Sequence, residues 1–160
     1  PEVGLALSRG GAQAVFFPTM FYGGQRLVAW AMDYGFVLVR AHGSGARIID
    51  PTGATLAAEG PARTLAGSSA AVRWAHAEVN LDHRTYHLDF HGEALAAMRA
   101  AYGDGIAIRR MPEEGIFNLA CHRQDRTVDD LEREFGLTPL RTYLDAASAD
   151  RRAALRALVR

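Results

Sequence analysis

The stretch from Phe36 to Gly53, FVLVRAHGSGARIIDPTG, constrains the fold more than any other part of the chain. It opens with Phe36, Val37, Leu38 and Val39. A continuous apolar run rich in β-branched and aromatic residues reads as a strand buried on both faces, because a strand with one wet face would alternate. Gly43-Ser44-Gly45 then breaks the run with residues that allow unusual backbone angles. Arg47 to Asp50 reads as a second strand. Asp50-Pro51-Thr52-Gly53 has the residue types of a type I turn, with Asp first, Pro second and Gly fourth. Ala54 to Ala58 reads as a third strand. The expectation is a sheet of antiparallel neighbours around one buried strand, with the flanking elements packed on it.

Before this stretch the chain alternates helix and strand, the pattern of an α/β fold. Pro1 to Gly10 is expected to be a helix, with Pro at the first helical position and Glu2 where the helix dipole favours an anion. Gly10-Gly11 ends it. Ala14 to Phe17 is a second apolar strand, stopped by Pro18. A helix from about Gln25 to Tyr34 places Leu27, Ala31 and Tyr34 on one face, and Gly35 stops it. Gly60 to Ser69 is small and polar, a loop. Ala71 to Val79 reads as a strand, with Val72, Trp74, Ala77 and Val79 among its apolar positions.

From Asp82 the character changes. Gly92 to Tyr102 is helical, Gly103-Asp104-Gly105 is a turn, and Ile106 to Ile108 and Ile116 to Leu119 are short strands. Thr127 caps a helix, with Asp130 completing a capping box, and Phe135-Gly136 ends it. Thr138-Pro139 starts another helix. Ser148 starts a last amphipathic helix of Arg, Ala and Leu. This divides the chain into 1–81 and 82–160, the second part read as a continuation of the same domain with a C-terminal extension.

With 160 residues, 49% of them hydrophobic and 22% charged, the chain has the material for a packed core. Its 18 basic and 18 acidic residues balance, which gives no reason to expect nucleic acid or an anionic membrane as partner. No apolar run approaches the ~20 residues of a membrane span. Every basic residue is Arg, so no lysine chemistry is available within these residues. A single Cys allows no intrachain disulfide and fits a reducing, cytoplasmic location. The start at Pro1 suggests a fragment or a processed product.

Few residues suggest chemistry. Cys121 is the sole thiol, but His122 beside it would point to the opposite face of a strand, so a small buried residue is the simpler reading. His83, His87 and His91 are spaced four apart and would share a face on one helix, the spacing of a metal site. Against that, Asp89 reads as the cap of a helix beginning near Phe90, which takes His91 off the shared face. No metal or other cofactor is therefore expected. His42 follows the central strand and His76 has no partner in sequence. Asp50 serves its turn, and Gly43 and Gly45 lack the rest of a phosphate-loop pattern. Thr19, Met20, Phe21, Tyr22 and Trp30, with His42, are the candidate binding residues. A loop at the carboxyl end of a buried strand in an α/β sheet is a favoured ligand position. The plainer alternative is that these aromatics pack the sheet edge.

The order of segments resembles the carbon–nitrogen hydrolase (nitrilase) superfamily. "IIDPTG" after a buried strand and a Gly-rich turn is similar to the family's "S-x-I-I-D-P-x-G", with Ala46 in place of the Ser. Pro1-Glu2, Gly11-Ala12 and Ala14 to Pro18 follow the order found after the family's nucleophilic Cys. Arg26 to Gly35 resembles its "RAxENG" helix, with Trp30, Asp33 and Tyr34 at the places of Arg, Glu and Asn. The segment ending Glu78-Val79-Asn80-Leu81 resembles its "AEIDL" strand. The resemblance implies part of an αββα sandwich, cut just after the nucleophile, whose intact form hydrolyses an amide, carbamoyl or nitrile C–N bond. It also implies a small-molecule substrate, a homo-oligomer and a pocket lined partly by the loop after Pro18. The family's Cys, Glu and Lys would lie before Pro1, so the chain alone is expected to be inactive, and its strands Ala14–Phe17 and Phe36–Val39 to lack neighbours. A non-catalytic α/β binding module is the alternative.

Overall fold

The computed structural model describes residues 2–43, 45–59 and 74–158. Pro1, Ser44 and the loop from Gly60 to Ser69 lie outside the described residues, as do the first positions of the strand expected from Ala71. The protein is mixed α/β, with five α-helices and two sheets among the described residues. It divides into two compact units, Pro1–Leu81 and Asp82–Arg160.

In the first unit, helix α1 (Glu2–Arg9) leads to strand β1 (Ala14–Pro18), helix α2 (Gly24–Tyr34), and strands β2 (Val37–His42), β3 (Gly45–Ile49) and β4 (Thr55–Glu59). The sheet order is β1-β2-β3-β4. β2 runs antiparallel to β3, and β3 to β4, but β1 is parallel to β2, so the sheet is mixed. The parallel pair follows from the helix between them: a chain that crosses over through α2 returns in the same direction. Phe36, Val37 and Leu38 are buried, as their unbroken apolar run predicts; α2 covers Phe36 and Leu38 on one face, and strands on either side pair the edges of β2. β1 departs from the reading of a fully buried strand. It lies at the sheet edge, and Phe16 is 76% exposed while Val15 and Phe17 pack inward.

The core of this unit joins Leu27 and Ala31 of α2 to Phe36, Leu38 and Ile49. The turn after β3 is held by Asp50. Its carboxylate accepts from the Thr52 amide at 2.8 Å, the Thr52 hydroxyl at 2.6 Å and the Ala54 amide at 3.0 Å. Gly53 closes it at φ +81°, where an added Cβ would lie 2.7 Å from Met32 Sδ. The strand expected over Ala71 to Val79 does not form over its described residues: from Trp74 on, exposure alternates with period two, but no strand among the described residues pairs with the segment. The alternating pattern gives a chain an extended shape; only a ladder partner makes it a strand.

In the second unit, strand β5 (His83–His87) leads to helix α3 (Gly92–Tyr102), strands β6 (Ile106–Met111) and β7 (Ile116–Cys121), and helices α4 (Val128–Phe135) and α5 (Leu140–Leu158). The sheet order is β5-β7-β6, antiparallel throughout. Phe117, Leu119 and Cys121 of β7 alternate into a core with Tyr86, Met98, Val128 and Leu131. β5 is a strand where polar HRTYH gives no apolar run; Thr85 and Tyr86 are buried within it. Asp89 caps no helix: α3 begins at Gly92 after His91, and Phe90 takes φ +67° with its ring in solvent. The two helices expected from Pro139 and Ser148 are one, since Ser148 sits exposed within α5 and propagating a helix costs less than starting another.

The α4 start is the expected capping box. Thr127 Oγ1 accepts from the Asp130 amide, and the Asp130 carboxylate accepts from the Thr127 amide at 2.9 Å. Asp82 adds a second acceptor for the Val128 amide at 3.1 Å.

Replacing Asp50 with Ala removes the acceptor of three donors and lowers stability by about 1–3 kcal/mol, read as a shift in the urea midpoint. The Thr127 amide and hydroxyl hold the Asp130 carboxyl below its ordinary range. A depressed carboxylate stabilises the fold above its unfolded value of about 3.9 and loses that contribution as pH falls through the lower folded value. The melting temperature therefore drops on acidification below about pH 4, and Asp130→Ala flattens that drop.

Candidate functional site

The candidate site is the turn from Thr19 to Gly23, at the carboxyl end of the parallel pair β1 and β2. Pro18 closes β1, yet the Thr19 amide still donates to the Ala41 carbonyl at 2.9 Å, so the chain follows β2 one residue further. Thr19 Oγ1 then accepts from the Phe21 amide at 2.9 Å and turns the chain. The end of β2 holds the turn from beneath. His42 Nε2 donates to the Met20 carbonyl at 3.0 Å, and its ring lies 4.3 Å from that of Tyr22. Arg40 Nη1 donates to the Tyr22 carbonyl at 2.9 Å, and Nη2 to the Gly45 carbonyl at 3.2 Å. With its main chain fixed on both sides, the turn presents Met20 at 85%, Phe21 at 52% and Tyr22 at 47% exposure.

The structure thus brings together Thr19, Met20, Phe21, Tyr22 and His42. Trp30 stands apart from them. It is half-buried on α2 against the core, 6.1 Å from the ring of Phe17 and 5.9 Å from that of Tyr34. Arg40 is the residue that sequence reasoning passed over. Its signal was a charged residue two places beyond Leu38, on the face that Phe36 and Leu38 bury. Arg40 is 9% exposed, and burial together with the neighbouring Arg47 lowers its pKa.

The other candidates lie elsewhere. His83 and His87 stand at the two ends of β5 rather than one turn apart on a helix. Four strand residues span about 13 Å, too far for two ligands of one ion. His87 stacks on Tyr143 at 4.1 Å, and among the described residues no group of His, Cys, Asp and Glu is placed to hold a metal. Cys121 is buried in the core of the second unit, with its thiol 3.4 Å from the Arg126 carbonyl. Comparison with known protein families, curated proteins and solved structures finds no significant match.

Chemically, the turn offers an aromatic and thioether surface, an imidazole and a deeply set guanidinium. These are elements of binding and orientation.

The contrast between Trp30 and the turn is measurable. Trp30→Ala removes core packing and costs about 3 kcal/mol of stability. Met20→Ala and Phe21→Ala, at exposed positions, stay within about 0.5 kcal/mol of the parent in the same denaturant titration.

Proposed function

We propose that this chain is part of a carbon–nitrogen hydrolase of the nitrilase type, and that the turn from Thr19 to Tyr22 with His42 forms one wall of its substrate pocket. One observation carries the proposal. A turn pinned by β2 presents exposed apolar side chains at the carboxyl end of a parallel β1/β2 pair, at the point in the segment order where the family resemblance puts a pocket wall. Such edges are where α/β sheets take small molecules. The mixed α/β sheet of the first unit would be one half-layer of the αββα sandwich.

In this reading a Cys thiolate outside these residues attacks the amide, carbamoyl or nitrile carbon, a Lys cation stabilises the negative charge that develops, and a Glu moves the protons. For an amide, the C–N bond breaks as the amine leaves with a proton, and water then cleaves the thioester to release the acid. The substrate wall contributed here would hold the apolar part of the substrate and exclude water. The working enzyme would be a cytoplasmic homo-oligomer that needs no cofactor.

The alternative is a non-catalytic α/β binding module. The composition of the turn favours it, since Thr19 to Gly23 offer contacts but no thiol, carboxylate or amine.

The test is ammonia release from simple amides and nitriles by the product of the whole reading frame that encodes this chain. The expected result is turnover that needs a Cys upstream of Pro1 and is absent from the 160 residues alone. Turnover by the 160 residues alone, or a reading frame without upstream Cys, Glu and Lys, would sink the hydrolase reading and leave the binding module.

A further inference from the structure

The second unit presents two surfaces of opposite character. One is the distal half of α5. Its near end is anchored: Leu140 is buried, and Tyr143 stacks on His87. From Ala146 to Leu158 every residue is exposed. That stretch is about 20 Å long, and a helical end of this length is marginal in water on its own. Leu140, Leu144, Leu155 and Leu158 fall on one face, so the stripe that docks the helix continues past the fold, with Leu158 82% exposed. Arg151 lies within the stripe and Arg152 and Arg156 run beside it, against one acid, Asp150.

The other surface is the corner at Phe90. The Leu88 amide donates to the Gly115 carbonyl at 2.8 Å, which brings the end of β5 against the Pro112–Gly115 turn between β6 and β7. Two residues on, Phe90 takes φ +67° and is 95% exposed. Left-handed backbone is unfavourable for a bulky side chain, and a ring in solvent recovers none of that cost. Asn or Gly would serve the bend better. The same corner carries exposed carboxylates at Asp89, Glu93, Glu113 and Glu114. Arg109 and Arg110 of β6, just before the turn, leave it acidic on balance.

An apolar, cationic helix face and an aromatic, anionic corner are complements. Within one molecule both are exposed, so they meet only between copies. Charge also selects the pairing. Two α5 helices packed on each other would bring arginines against arginines, whereas the corner sets carboxylates against them.

We infer that the distal half of α5 docks on the Phe90 corner of a second copy of the chain, and that two copies exchange these helices reciprocally as a dimer. Leu155 and Leu158 cover the Phe90 ring, and the arginines beside them meet Glu113 and Glu114. Reciprocal exchange uses both surfaces of both copies and closes the assembly at two. The contact involves the second unit only and is independent of the hydrolase reading.

The experiment is sedimentation velocity of the whole chain across a concentration series, in low and in high salt. A monomer–dimer equilibrium is expected that weakens as salt rises, because salt screens exposed charges. Phe90→Asn is expected to weaken dimerisation about tenfold or more. The same variant leaves the urea midpoint of the monomer unchanged or higher, since Asn accepts left-handed backbone. Arg152→Glu with Arg156→Glu is expected to abolish the dimer, as is Glu113→Arg with Glu114→Arg. The chain carrying all four substitutions is expected to dimerise again, because the charges are then exchanged across the contact. A monomer at every concentration overturns the proposal, as does a dimer indifferent to Phe90→Asn or to the charge reversals. Failure of the quadruple variant to recover the dimer overturns the pairing of α5 with this corner. Co-sedimentation of a monomeric chain with anionic phospholipid vesicles, lost in Arg152→Glu with Arg156→Glu, also overturns it and assigns α5 to a membrane surface.

Discussion

The first unit depends on the burial of β2. A strand that loses water from both faces and both edges must have every backbone donor and acceptor paired within the protein. β1 on one side and β3 on the other meet that demand, and α2 covers the face formed by Phe36 and Leu38. The rest of the unit follows from this arrangement. The parallel partner requires a crossover, the crossover is α2, and the connection into α2 must pass over the carboxyl end of β2. The candidate site is that connection.

Burial also sets the character of the site. Three residues of β2 past Val37 the apolar run meets Arg40, still on the helix-bearing face and still largely out of water. A guanidinium there is useful mechanically, since it ties the turn at Tyr22 to the start of β3 at Gly45. It is costly electrostatically, because it is largely buried and lies across the ladder from Arg47. The side chains at the surface of the turn are consequently apolar or aromatic, while the charge lies beneath them.

The second unit is held by a different logic. β7 is its central strand, and its inward residues Phe117, Leu119 and Cys121 pack under Tyr86 and the helices. Polar groups close the edges of that core. Arg84 meets Glu132 at 2.7 Å, and the Tyr86 hydroxyl donates to the same carboxylate at 3.1 Å. Burial and the negative Glu132 hold the Tyr86 phenol protonated, its pKa pushed far up. The histidines that sequence spacing suggested as ligands serve this scaffold, as the stack of His87 on Tyr143 shows.

The sequence by itself determined what depends on neighbours within a few residues. The Asp50 turn, the Thr127–Asp130 capping box, the αL glycines ending α2 and α4, and the apolar run into β2 are all local, and their residue types specify them. The turn residues Thr19 to Tyr22 and His42 were legible as a candidate site because the end of a strand is a local feature. The tertiary structure alone decided which extended segments found partners. HRTYH became β5 because β7 pairs with it, whereas the alternating segment from Trp74 to Val79 joins no sheet among the described residues. It also decided that β1 is an edge, that Trp30 packs against the core, and that Arg40 ties the turn at Tyr22 while lying across from Arg47. Pairing and burial join residues distant in the chain, and no local pattern records which distant partner wins.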